Sequence, residues 1–177
     1  MTDHHANDMI EFLRRQRQTR SYLNQPIPPE SLANILDVAR WTGSAGNKQR
    51  WKLVVVQNRD HNQQLGAIKS DTGWVADASV VVVLLTEGAT AEAGRFDAGR
   101  MAERLLLAAQ AEGLGAGIIG FGDATSNTAV RELLHVPDGL WIFAAVVIGF
   151  AAEPESTGQS SKGGRKPIDE IVVHESF

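Results

Sequence analysis

Four arginines cluster near the start of the chain, at positions 14, 15, 17 and 20. Arg14 and Arg15 fall on a helical pattern and read as a solvated face. Arg17 and Arg20 fall where that pattern gives way to extended chain, so their side chains can converge on one point. A guanidinium offers two parallel hydrogen bonds, which makes such a pair a candidate phosphate holder. Residues 43–51, Gly-Ser-Ala-Gly-Asn-Lys-Gln-Arg-Trp, form a second candidate. Gly43 and Gly46 allow close backbone approach to a ligand, and Ser44, Asn47 and Gln49 supply donors and acceptors. A third is the literal GxGxxG at Gly115, Gly117 and Gly120. A dinucleotide turn needs those glycines after a strand and opening a helix. Here they follow a long helical pattern, and Ile118 and Ile119 give them the look of a strand.

Other chemistries find no support. The chain has no cysteine, which excludes disulfides, thiolate catalysis and Cys-based metal sites. The five histidines stand at 4, 5, 61, 135 and 174, with no metal-ligand spacing and no acidic cluster beside them, so no metal is expected. Gly-x-Ser-x-Gly is absent, and with it the nucleophile elbow.

The elements that must carry these residues follow from periodicity. Residues 8–17 read as a helix with Met9, Ile10 and Leu13 on one face. Pro26, Pro28 and Pro29 force extended chain before a second helix over 30–41, with Leu32, Ile35, Leu36 and Ala39 buried. Residues 51–57 and 79–85 read as strands, the second with both faces covered. A short helix is expected over 60–68. The spacing over 96–112 predicts a long helix, with Met101, Leu105, Ala108 and Ala109 on a wide apolar stripe. That stripe is expected to pack against a second subunit. Then come a strand over 115–121, a helix over 126–134 and a strand over 141–150. Residues 153–167 are polar and rich in Gly and Ser, a linker or surface crossing, and 168–173 resume an apolar pattern. Helices mixed with strands, opening on a helical pair, point to an α+β sandwich.

Bulk properties agree. The length of 177 residues suits one domain, and 43% hydrophobic with 21% charged residues is ordinary for a globular protein. A net charge of −4 gives no reason to expect nucleic acid as a partner. No apolar run reaches the roughly 18 residues of a membrane span, and 1–7 lack a secretory apolar stretch, so a cytoplasmic location is expected.

Taken together the motifs resemble the FMN-dependent nitroreductase family. Its first helix ends in Arg-Arg-Ser-x-Arg-x-Phe followed by Pro-x-Pro; here stand Gln16-Arg17-Gln18-Thr19-Arg20-Ser21-Tyr22 and Pro26-Ile27-Pro28. Its Pro-Ser-x-x-Asn-x-Gln-Pro-Trp corresponds to residues 43–51, followed by the strand Lys52-Leu53-Val54-Val55-Val56. Asp97-x-Gly99 resembles the opening of the family's long helix, Gly113-Leu114-Gly115 its close, and Arg165-Lys166-Pro167 the Arg-x-Pro before its last strand. The likeness runs over residues 8–172. Gln16, Gln18, Gly43 and Arg50 depart from the family pattern. The short stretch between Leu85 and Arg95 leaves no room for the helices that cover the substrate in many relatives.

The resemblance implies a mainly antiparallel sheet flanked by helices, with a C-terminal strand exchanged between subunits of a homodimer. Residues 1–177 would then be one FMN-binding domain, and 153–177 a tail on the partner. Gln16, Arg17, Gln18, Thr19 and Arg20 would hold the phosphate and ribityl chain, with Arg165 also reaching the phosphate. Ser44, Ala45 and Asn47 would come from the partner subunit. Ile118, Ile119 and Gly120 would run along the flavin ring, with the Gly120 backbone near N5. Hydride would pass from NAD(P)H through the flavin to a small-molecule acceptor such as a nitroaromatic or quinone, with no catalytic side chain. A non-enzymatic FMN carrier or sensor on the same fold is the alternative.

Overall fold

The computed structural model describes residues 3–87, 91–152 and 164–176. In chain order these form α1 (Asp3–Arg15), α2 (Pro29–Arg40), β1 (Trp51–Val56), α3 (Arg59–Ala67), β2 (Val80–Glu87), α4 (Ala91–Ala111), β3 (Gly115–Gly120), α5 (Ala124–Leu133) and β4 (Leu140–Gly149). Single 3-10 turns occur at Ala45–Asn47, Gly73–Asp77 and Ile168–Glu170. No described helix is long and apolar enough to cross a membrane.

The four strands form one antiparallel sheet in the order β1-β2-β4-β3. Its centre is β2, whose residues 80–85 are all buried because helices cover both faces. On one face Val80, Val82 and Leu84 meet α2 and α4 through Ile35, Met101 and Leu105. On the other, Val81, Val83 and Leu85 meet α3, α5 and the Gly73–Asp77 turn through Leu65, Val75 and Val130. The alternation of side chains along β2 thus feeds two separate cores. Three of the described helices have a local reason to start. Pro29 stands in the first turn of α2, the Asn58 side chain accepts the His61 N–H (3.0 Å) to cap α3, and Asp123 caps α5.

Three sequence expectations change. Helix α1 ends at Arg15, because strand-like pairing of residue 18 with Ala116 takes over. Helix α4 starts earlier than 96, at Ala91, and runs through Gly94, which lies so close to Thr86 of β2 that a Cβ there would collide with its side chain. Its stripe of Met101, Leu105, Ala108 and Ala109 is buried within the subunit's own core, against the sheet and α2. Those side chains therefore give no argument for a second subunit. Apolar surface left exposed lies elsewhere: Met9, Ile10 and Leu13 on α1, Trp41, Phe96, and Ile168, Ile171, Val172 and Val173. The apolar pattern at 168–173 opens on the Ile168–Glu170 3-10 turn and forms no strand within one chain.

Candidate functional site

Residues 16–20 leave α1 as a strap along the outer edge of β3. The Thr19 N–H donates to the Ala116 carbonyl (2.8 Å), and the Gln18 side-chain oxygen accepts the Ile118 N–H (2.7 Å). Further along the same edge, Lys69 Nζ donates to the Gly120 carbonyl (3.3 Å). Peptides alternate direction along a strand, so the Gly120 N–H faces this outer edge too. The strap therefore brings Gln18 and Thr19, and with them residues 16–20, beside the 115–118 stretch of β3, about a hundred residues later in the chain (the Gln18–Ile118 bond spans 100 residues), with Ile119 and Gly120 following directly on the same strand.

The glycines of β3 have two different reasons. A Cβ at Gly115 would lie 2.6 Å from Thr19 Oγ1, and one at Gly117 would run into the Thr19 carbonyl oxygen and the Trp74 ring. These two residues are small so that the strap can approach, not so that a ligand can. Gly120 differs: a Cβ there meets nothing within 4 Å, and the residue is exposed. Gly117→Ala is expected to cost about 1–3 kcal/mol, as overpacking of a closed contact does, and to lift the strap. A urea melt checks this; a variant of unchanged midpoint would mean that the strap is loosely held.

Behind the strap Tyr22 is buried, its hydroxyl within reach of the Thr19 (2.9 Å) and Val147 (3.0 Å) carbonyls. Burial pushes its phenol far above the ordinary value, although the nearby Arg20 charge pulls the other way. Above pH 10.0, the ordinary phenol value, the unfolded chain loses this proton while the folded one keeps it. Stability present below that pH is then lost as pH rises, by up to about 1.4 kcal/mol per pH unit. Tyr22 is the sole tyrosine. Tyrosinate absorbance should thus appear in the native protein only on unfolding, and Tyr22→Phe should remove this part of the alkaline instability.

Arg17 donates to the Arg14 (2.6 Å) and Gln16 (2.7 Å) carbonyls and so closes the C-terminus of α1, where a cation is favoured. Arg20 and Arg165 are exposed and make no hydrogen bond or ion pair among the described residues. The 43–50 loop is tightly built. Ser44 Oγ accepts the Gln49 N–H (2.9 Å), Gln49 donates to Asn47 Oδ1 (3.1 Å), and Arg100 donates to the Gly43 carbonyl (2.7 Å). Asn47 and Gln49 hold positive φ (53° and 47°), a strained state that persists only where surroundings over-determine it. No hydrogen bond joins this loop or Arg165 to the strap within one described chain.

Past Gly120 the chain enters a cleft of about 690 Å³ at the end of the sheet. Its walls include Phe121, Gly122 and Asp123 after β3, Trp141 and Phe143 of β4, and Arg95 of α4. A register shift between Leu84 and Leu85 leaves Phe143 without a partner on β2, a bulge that re-aims its side chain. The Asp123 carboxylate takes the Ser126 N–H (2.8 Å) and the Ser126 hydroxyl, and these bonds hold its pKa below the usual carboxylate range.

A sequence profile described as the nitroreductase family matches residues 13–86 and 71–150, which together take in the strap, the 43–50 loop, β3 and the cleft. The chain belongs to the nitroreductase family. Among nitroreductase relatives, an FMN reductase [NAD(P)H] of Bacillus subtilis is 23% identical over 193 residues, covering 97% of this chain and 75% of its own. The structure of an FMN-dependent nitroreductase from Clostridium difficile R20291 superposes with a TM-score of 0.85 at 22% identity, over 96% of this chain and all of that one. An NADPH:FMN oxidoreductase from Vibrio harveyi, complexed with NAD+, gives 0.85 at 23% identity over 97% and 78% of the two chains. These likenesses establish the nitroreductase fold. Within it, sequence reasoning missed Lys69 beside Gly120 and the cleft residues Arg95, Asp123 and Trp141. The one available signal was Asp123-x-x-Ser126, a helix-capping pattern directly after the glycine strand.

Proposed function

We propose that this nitroreductase is an FMN-dependent oxidoreductase that passes reducing equivalents from NAD(P)H to nitroaromatic, quinone or related acceptors. The observation that carries this is the strap on β3: Gln18 holds the Ile118 N–H, Thr19 lies against Gly115 and Gly117, and Gly120 beyond them opens onto free space. The donor set fits FMN. Arg20 and Arg165 have free guanidinium donors for phosphate, and Gln16, Arg17, Gln18 and Thr19 line the path to it. The side-chain-free surface at Gly120 accepts a flat ring. Lys69, at the Gly120 carbonyl, places positive charge near the ring's end of the site, which favours a reduced anionic cofactor. When bound, FMN supplies the two-electron chemistry, and no side-chain base is required. A nitro group taking two electrons and two protons yields a nitroso group and water, while a quinone yields a hydroquinone.

The assembly follows from the exposed apolar surface. Met9 (58% exposed), Ile10 and Leu13 on α1 and the apolar tail need cover that one chain does not give. The tail is proposed to add a strand to the partner's free β1 edge, bringing Arg165 with it. Ser44, Ala45 and Asn47 then complete the site from the partner's side.

Steady-state oxidation of NADH and NADPH, with a nitroaromatic or a quinone as acceptor, tests the reaction. FMN-loaded protein that oxidises neither nicotinamide would favour the carrier reading. For the phosphate site, Arg165→Ala should weaken FMN by about 1.5–3 kcal/mol, the value of a hydrogen bond to a charged group, and leave riboflavin binding unchanged.

A further inference from the structure

The cleft beyond Gly120 is concave, with a volume within the usual range for ligands and a mixed lining: the aromatic rings of Phe121, Trp141 and Phe143 stand among polar side chains that include Arg95, Asp123 and Asn127. Its charged groups are not equivalent. Asp123 is a carboxylate held in place by Ser126 at the N-terminus of α5, its oxygens already taking the Ser126 N–H and hydroxyl. Arg95 makes no hydrogen bond or ion pair among the described residues and is the cation among the residues lining the cleft. The same cleft is lined by the indole of Trp141, 47% exposed, and the ring of Phe143, brought in by the bulge. We propose that this cleft docks an aromatic electron acceptor carrying a carboxylate or similar anion, with Arg95 holding the anion and Trp141 and Phe143 flanking the ring. An uncharged aliphatic ligand would leave the guanidinium unused. A polyanion would meet one cation among the lining residues and the Asp123 carboxylate with it. The cleft is also rightly placed: Phe121 and Gly122 continue the chain straight from Gly120, so a molecule in it abuts the surface assigned to the flavin ring. In that respect the inference rests on the proposed FMN function.

The test separates the two. Calorimetric titration of the purified protein with 4-nitrobenzoate and with its methyl ester needs no turnover. The carboxylate should bind at least about tenfold tighter than the ester, and Arg95→Met should erase that preference, with Arg95→Lys keeping part of it. Equal binding of acid and ester, or an unchanged preference in Arg95→Met, would overturn the assignment. In the FMN-loaded protein the ratio of kcat/KM for acid over ester should fall by about the same factor in Arg95→Met. Discrimination in binding without any nicotinamide oxidation would indict the proposed reaction and leave the cleft standing. Turnover whose acid-to-ester ratio ignores Arg95 would indict the cleft.

Discussion

A chain ending at Pro154 is expected to fold, yet to lose both its partner and its FMN. Folding should survive because both hydrophobic cores are complete without the tail: residues 164–176 are exposed throughout, and Ile168 is 77% accessible. What the truncation removes is Arg165 and the apolar surface proposed to pair with β1 of a second copy. Loss of Arg165 alone should weaken FMN by about 1.5–3 kcal/mol. Loss of the partner's Ser44, Ala45 and Asn47 adds to it, so affinity should drop by a hundredfold or more, since each 1.4 kcal/mol is about tenfold. Light scattering and flavin absorbance on the same sample read both effects. A truncated chain that stays dimeric with its full flavin complement would show that the tail serves neither purpose.

Replacing Gly120 with Val should abolish FMN binding while leaving the fold as stable as before, or slightly more so. The reason lies in the contrast within β3. At Gly117 the strap already fills the space a side chain would need, whereas at Gly120 a Cβ meets nothing within 4 Å. A β-branched residue in a strand gains on glycine by lower unfolded-state entropy and better strand propensity. The same isopropyl group would stand where a flat ring must lie against the backbone. Gly117→Ala and Gly120→Val thus separate two roles of one motif: the first should lower the urea midpoint, the second should empty the site. A Gly120→Val protein that binds FMN normally would move the ring away from β3.

Much of the fold was legible because its signals are local. Pro29 announced α2, the unbroken apolar run of valines and leucines announced β2, and the helix before Gly115 ruled out a dinucleotide turn there. The pairing of Gln18 with Ala116 was not legible, since no periodicity reports which distant segments meet; only the family resemblance placed the strap and the glycine strand in one site. Helix α4 misled in two ways. Asp97-x-Gly99 looked like its opening, yet Gly94 serves close packing on Thr86 and the helix begins at Ala91. Its broad apolar stripe looked like an interface, yet a helix on a sheet face needs such a stripe for its own subunit. The cleft was hidden because Arg95, Trp141 and Phe143 come together through a bulge and a helix start that leave no mark in composition. Gln49 at positive φ is equally silent in sequence, because glutamine carries no preference for that conformation.

If the strap, β3 and the tail together form an FMN site, the visible spectrum of the purified protein reveals it. The protein is expected to show the absorption bands of a flavin, at about one FMN per chain after loading, bleached on addition of NADH or NADPH. A colourless protein that neither retains added FMN nor quenches its fluorescence would contradict it.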